Sequence, residues 1–535
     1  MSDLIPRRRV LATALGAIPF ARSVGISALA GTPAERPRAD QALELRTNAA
    51  IRQSKRASAP TDTNGDEELT PRWTLCYRKG LPRNQFGEVD AASYGALLAA
   101  VKSEQHADFE RIPRGGGRKQ SNPQGAFTYH LEGGDPHTFP VPLPPSVRSD
   151  EAAREMSELY WQALCRDVPF SAYGSSPLIA DAAKYLRSTP AQVFRGRREA
   201  HTRGPYVSQF LLKPIPYGSA KLPQLYSTPV AGCDFMTAPS EWSQIQSGIP
   251  SWREADYDPT PRYIRNGRDL AEYVHYDFPY QAFLSAALIL INAGPRSILN
   301  CNQFKSDNNL YRYSTIQDGF VTFGQAEVTD WLGRVTTASL KAAWFQKWVV
   351  HRRIRPEELG GLIHQTRATG RRFHLQEAMS NSAAVDAVFE RTGAYLLPQA
   401  YPEGSPLHPA FPSGHAVIGG ACSIVLKACF DGAMLLPGCV EPSADGLRLA
   451  PCANYSPTIA DEIDKLVFNV AMGRNWAGIH YRSDADVGIR LGEDVAISIL
   501  QDLAGSYTES FKGFSFRRFD GRGVHISPRG EVEES

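Results

Sequence analysis

Residues 412–430 read Pro412-Ser413-Gly414-His415 followed by AVIGGACSIVLKACF, and this stretch decides the fold. Ser413 is a natural helix N-cap, and the small and apolar side chains from Ala416 to Phe430 spell a helix buried on every side. A helix start that offers free N–H groups from Ser-Gly-His is an anion-binding site by geometry. Two further segments bring unusual cations. Lys347 and Arg355 are separated by seven residues, and Pro356 follows at once. The spacing predicts a helix over Val335–Ile354 with Leu340, Trp344 and Trp348 on one face, ended by Pro356. On such a helix the two cations would lie about 12 Å apart along the axis and about 80° around it. Arg474 and His480 are separated by five residues, which would put them on different sides of one helix. Gly478 and the start signal Ser483-Asp484-Ala485-Asp486 instead predict a new helix after His480.

Together these segments supply three permanent cations, a hydroxyl, backbone donors and two histidines. That set describes a pocket for a tetrahedral trianion, because burying three like charges is tolerable only when each is matched. One histidine is suited to bind the central atom through a ring nitrogen, the other to move protons. Residue chemistry alone leaves phosphorus and vanadium equally open.

The rest of the chain agrees with a helical class. Apolar spacings of three and four recur over Ser93–Val101, Glu151–Leu164, Ser176–Leu186 and Leu270–Ile291, the last with a break at Pro279, and few stretches alternate with period two. Of the 535 residues, 42% are apolar and the net charge is only +2, so no global field favours nucleic acid or an anionic membrane as partner. The longest apolar run beyond the first thirty residues, Ala282–Ile291, is too short to cross a bilayer. The eight cysteines and twelve histidines show no zinc spacing. Cys439 and Cys452 close a short loop and can pair in an oxidising compartment. Arg7-Arg8-Arg9-Val10-Leu11 before an apolar stretch reads as a twin-arginine export signal over residues 1–30, which places the protein in the periplasm or outside the cell. Residues 31–72 are polar and read as a linker or surface arm, and Gly115-Gly116-Gly117 as an ordinary loop.

The ordered set Lys-(x7)-Arg-Pro, Pro-Ser-Gly-His and Arg-(x5)-His-(x3)-Asp, here ending on Asp484, resembles the signature shared by vanadium-dependent haloperoxidases and type 2 phosphatidic acid phosphatases. The seven-residue spacer and His408, seven before His415, are similar to the bromoperoxidase branch. Gly80-Leu81-Pro82, Glu158-Leu159-Tyr160-Trp161, Gly204–Phe210 and Phe519-Asp520-Gly521 extend the likeness over about residues 73–525. Gln346 departs from red-algal relatives, which carry Arg there, and leaves bromide against iodide open.

The resemblance implies an all-α fold of two four-helix-bundle-like halves, residues 73–269 and 270–535, with the active site in the C-terminal bundle. It implies vanadate as cofactor, with His480 as the vanadium ligand. Lys347, Arg355, Arg474, Ser413 and the Gly414 N–H would hold its oxygens. His415 would serve as acid and base, His408 would tune halide oxidation, and Lys347 would polarise the peroxide. The implied partners are halide, hydrogen peroxide and small organic acceptors, taken by a homo-oligomer. Two rivals share the pocket: an acid phosphatase in which His480 attacks phosphorus, and a non-catalytic oxyanion-binding protein.

Overall fold

Side-chain caps begin the helices that the apolar spacing calls for. The computed structural model describes residues 37–69, 73–84, 87–196, 198, 202–293, 309–452 and 455–535. Two units divide the chain, Met1–Asn48 and Ala49–Ser535. The export signal read at residues 1–30 lies outside the described residues. Helix α1, Arg38–Ser54, occupies much of the stretch read as a polar linker and has no buried residue. Its composition hid it, because a helix without an apolar face leaves no periodicity to read. Within the second unit, Arg52 and Gln53 at its end bond the Asp502 carboxylate at 3.2 and 2.9 Å.

Asp90 caps α2 (Ala91–Ser103), Ser149 caps α3 (Asp150–Cys165) and Ser176 caps α4 (Pro177–Tyr185), each through its side-chain oxygen on a first-turn N–H. Next come α5 (Pro239–Gln246), α6 (Gly267–Tyr273) and α7 (Gln281–Ile291), the last two broken apart around Pro279 as expected. The C-terminal part holds α8 (Gln325–Trp344), α9 (Pro356–Thr369), α10 (Ala383–Thr392), α11 (Gly414–Cys429), α12 (Ile459–Trp476) and α13 (Arg482–Ala504). Among the described residues strands are few and short: two hairpins and one three-stranded antiparallel sheet, Phe514–Arg517, Gly523–Ile526 and Val532–Glu534. The fold is helical. Among the described residues no helix is long and apolar enough to cross a membrane.

Helix α11 is the axis of the core. It is buried from Ala416 to Ala428, with α8, α12 and α13 packed around it. Each fully buried Val, Leu or Ile there contributes about 1.5–3 kcal/mol. The closest crossing is with α13, where a Cβ on Gly492 would stand 1.9 Å from the Val417 carbonyl. Only a residue without a side chain lets the two backbones meet, and this contact brings the start of α13 against the start of α11.

The expected single helix over Val335–Ile354 is corrected. Helix α8 passes into a π-helical turn over Phe345–His351, and Arg352 then adopts a left-handed conformation at φ 39°. Pro356 does not end that helix. It occupies the first turn of α9, where its missing N–H costs nothing and Arg355 is the cap residue. Cys439 and Cys452 face each other across their short loop, sulfur atoms 2.7 Å apart.

At the end of the π turn, His351 lies edge-on to Phe411, ring centroids 5.0 Å apart. Burial, then the neighbouring Arg352 and Arg353 charges, pushes its pKa down to about 4. A folded value below the ordinary 6.5 means that protonation favours the unfolded chain. Stability is therefore complete above about pH 6.5 and falls as pH drops towards 4, by about 3 kcal/mol from this group. Denaturant midpoints at pH 7 and 4.5 should show a smaller acid loss for His351→Phe than for wild type. Equal losses would place the titration elsewhere.

Candidate active site

The two cations of the first segment reach one pocket from different elements. Lys347 projects from the π turn, fully buried, and its ammonium donates to the Pro409 and Ala410 carbonyls, both at 2.8 Å. Arg355, at the cap of α9, is also fully buried. Its guanidinium donates through Nε to the His408 carbonyl (2.9 Å) and through Nη1 to the Ile479 carbonyl (2.8 Å). Nη1 also faces His480 Nε2 at 2.9 Å, and Nη2 faces His408 Nδ1 at 3.0 Å. The sharp turn at Arg352 therefore does what the expected eight-residue helical spacing was thought to do. His408 sits at the edge of this group with its ring 4.9 Å from that of Trp344.

The second segment enters through the cis Phe411–Pro412 bond to Ser413 at the cap of α11. Its backbone N–H donates to the Asp484 carbonyl at 2.9 Å, tying the start of α11 to the start of α13. Its hydroxyl is fully buried and makes no hydrogen bond. Beyond it, the first-turn N–H groups of α11 have no partner within the helix. His415, on the first turn, faces the Asp277 carboxylate at 2.9 Å through Nε2.

The third segment turns at Gly478, whose φ of 85° and contact with Gln399 exclude a side chain. Helix α12 ends at Trp476 and α13 begins at Arg482, so the helix break expected after His480 is present. Arg474 donates to the Val274 carbonyl and to the Tyr401 hydroxyl (3.2 Å), and its Nε is buried without a partner. His480 Nδ1 bonds the Asp484 carboxylate at 2.8 Å. Arg353 holds that carboxylate at 2.6 Å while reaching Glu155 at 3.0 Å. The arrangement favours the tautomer with the proton on Nδ1, which leaves the Nε2 lone pair towards the pocket.

Charge marks the pocket most clearly. Among the described residues, Lys347, Arg355 and Arg474 form no ion pair, although most buried arginines of this chain have a carboxylate partner. Burial, then Arg355, holds the Lys347 ammonium well below its ordinary pKa. Burial brings Arg355 down to about 10, with Asp484 opposing. Burial, then the Arg355, Lys347 and Arg474 charges, keeps His480 neutral, and His408 is held down in the same way by burial, Lys347 and Arg355. Three converging buried cations with no ion-pair partner of their own, and only the Arg353-held Asp484 carboxylate nearby, are best matched by an anion. The orphan Ser413 hydroxyl, the orphan Arg474 Nε and the unprotonated Nε2 of His480, which here accepts from Arg355 at 2.9 Å, fit a tetrahedral oxyanion whose central atom accepts a ring nitrogen.

All eight residues read from the sequence, Lys347, Arg355, His408, Ser413, Gly414, His415, Arg474 and His480, come from segments that meet here. Sequence reasoning missed Asp277, which lies 138 residues before His415 and carries no local signal. It also missed Arg353 and Glu155 as supports of Asp484. The position of Asp484, four after His480 at a helix start, was a legible signal for its role.

Fold and site thus define a helical protein with a buried, cation-lined pocket and a neutral histidine whose Nδ1 is held by a carboxylate. Residues 335–508 match a family model described as the VCPO second helical-bundle domain. The chain is 32% identical to a vanadium-dependent bromoperoxidase of Ascophyllum nodosum over 91% of its own length and 92% of that protein, and 31% identical to one of Corallina officinalis over 93% and 100%. It superposes on the homohexameric second vanadate-dependent bromoperoxidase of Ascophyllum nodosum with a TM-score of 0.87 and 28% identity, covering 99% of this chain and 96% of that one. The chain belongs to the vanadium-dependent haloperoxidase family.

Proposed function

We propose that the protein is a vanadate-dependent haloperoxidase that oxidises bromide or iodide with hydrogen peroxide to hypohalous acid. The observation that carries this reading is the trio of unpaired buried cations around a histidine whose Nδ1 is held by a carboxylate. His480 Nε2 would bind the vanadium, and Lys347, Arg355, Arg474, the Ser413 hydroxyl and the Gly414 N–H would hold the oxygens. When bound, vanadate supplies a Lewis-acid centre that activates peroxide without changing oxidation state. The protein supplies placement, charge and proton transfer. His415 is oriented by Asp277 and one-quarter exposed (24% for its side chain), so it can exchange protons between pocket and solvent. His408, wedged between Arg355 and Trp344, is kept neutral and adjusts how halide is met.

The deciding experiment follows bromination of a phenol-type indicator with peroxide and bromide, with and without vanadate, beside hydrolysis of an aryl phosphate. Vanadate-dependent bromination supports the reading. Rapid phosphate hydrolysis by vanadate-free protein, with no halide oxidation after loading, would establish the phosphatase instead. Binding of vanadate with neither activity would leave an oxyanion-binding protein.

The similarity to a homohexameric bromoperoxidase supports a homo-oligomer, which light scattering after gel filtration would measure. The arginine run at residues 7–9 supports export by the twin-arginine route. Replacing Arg7, Arg8 and Arg9 by Lys should retain the protein in the cytoplasm, and continued export would refute that route.

A further inference from the structure

A cavity of about 400 Å3 opens behind the acid-base histidine. Its walls include Tyr226, Tyr257, Tyr273 and Tyr276, and it also carries the carboxylates of Glu272 and Asp277, with no lysine or arginine in the lining. Asp277 is the link to the active site, since the carboxylate that lines the cavity also bonds His415 Nε2 at 2.9 Å. Tyr226 and Tyr273 meet edge-on with centroids 5.1 Å apart, and the Tyr257 hydroxyl donates to Glu272 at 2.7 Å. Tyr276, 71% exposed, stands at the mouth. Behind the wall, His275 lies 3.7 Å from Glu272 and 2.7 Å from Glu403, so one histidine is shared by two carboxylates. Of the charged side chains that line the cavity itself, both are carboxylates, while Arg118 and Arg474 stand outside the lining, near Glu403 and Tyr401.

Tyrosine faces with carboxylates beside them attract an organic cation, and the volume is that of a small-molecule site. We propose that this cavity binds the organic acceptor of hypobromous acid, and that the acceptor is an aromatic molecule carrying an ammonium group. The proposal rests on the haloperoxidase reading. Hypobromous acid formed beside His415 meets the ring held in the cavity. There the O–Br bond breaks as a C–Br bond forms, and the displaced ring proton leaves with hydroxide as water. The cavity's own phenols are poor competitors where burial keeps them protonated, as it does for Tyr273, and for Tyr257 with help from Glu272. A phenol reacts with electrophilic bromine far more slowly than a phenolate.

Binding separates this proposal from the activity on which it rests. Calorimetry on the full chain, with and without vanadate, compares tyramine with neutral 4-ethylphenol and anionic 3-(4-hydroxyphenyl)propionate. Tyramine should bind at least about fivefold more tightly than either. Glu272→Gln should weaken tyramine at least about fivefold and leave 4-ethylphenol unchanged, and Tyr276→Ala, at an exposed site with little risk to folding, should weaken tyramine about threefold. Iodide oxidation without an organic acceptor should be the same in both variants and wild type. Equal binding of the three probes, or tyramine binding indifferent to both substitutions, overturns the cation site. Normal tyramine binding in a protein that oxidises no halide overturns the acceptor role, and the failure is then that of the haloperoxidase reading.

Discussion

His480→Ala should reduce vanadate-dependent bromide oxidation to background, and added vanadate should not restore it. Neither of the other pocket histidines is placed to take over, because His408 lies at the edge of the group against Trp344 and His415 is engaged by Asp277. The Asp484 carboxylate on Nδ1 makes His480 a better ligand by fixing its tautomer, so Asp484→Asn should lower vanadate affinity or activity about 10–100-fold. Asparagine keeps an acceptor at the start of α13, and an unchanged melting temperature would separate this effect from damage to the helix cap. Vanadium content of the dialysed protein and initial rates of bromination measure both variants. Appreciable turnover by His480→Ala would remove the histidine from its role.

The second large effect concerns the three cations and has opposite signs with and without the anion. Without it, Lys347, Arg355 and Arg474 repel one another in a buried place and have no carboxylate partner, so Lys347→Met should raise the melting temperature of vanadate-free protein. With it, each cation matches one negative charge. Arg355→Ala or Arg474→Ala should therefore weaken vanadate binding at least about tenfold, on the order of 1.4 kcal/mol or more. Phosphate, a tetrahedral anion of similar charge, should stabilise each variant less than wild type in the same melting assay. Lys347→Ala should also lose turnover that saturating vanadate cannot recover, since the proposed further task of the ammonium is to donate towards peroxide. Full recovery would reduce the lysine to a binding charge.

Much of the site was legible because its key groups lie in short local patterns. Ser413 before an unbroken small and apolar run announces a capped, buried helix. Gly478 and Asp484 announce the break that turns His480 inward. The cations stood out through their joint occurrence, in this order, with Pro-Ser-Gly-His and the Arg474–His480 pair. The segment after Trp344 was misread because the pattern of large side chains continues through it. A π turn keeps Trp348 in the core beside Tyr77, at 5.6 Å between ring centroids, while shifting the backbone by one residue. Helical periodicity cannot show that shift, so Lys347 and Arg355 seemed to share a helix.

The sequence by itself determined that this chain is helical, that three separated segments supply caps, cations and histidines, and which residue types line the buried pocket. These follow from caps, periodicity and charge, all of which act within about one turn of helix. Tertiary structure decided what those residues do to one another. Asp277 reaches His415 across 138 positions, the Pro409 and Ala410 carbonyls hold Lys347, and Arg353 holds the carboxylate that holds His480. Such contacts depend on how closely α11 and α13 approach over Gly492 and on where Arg352 turns the chain. The pairing of buried charges is set by distances between elements far apart in the chain, and local pattern carries no record of those distances.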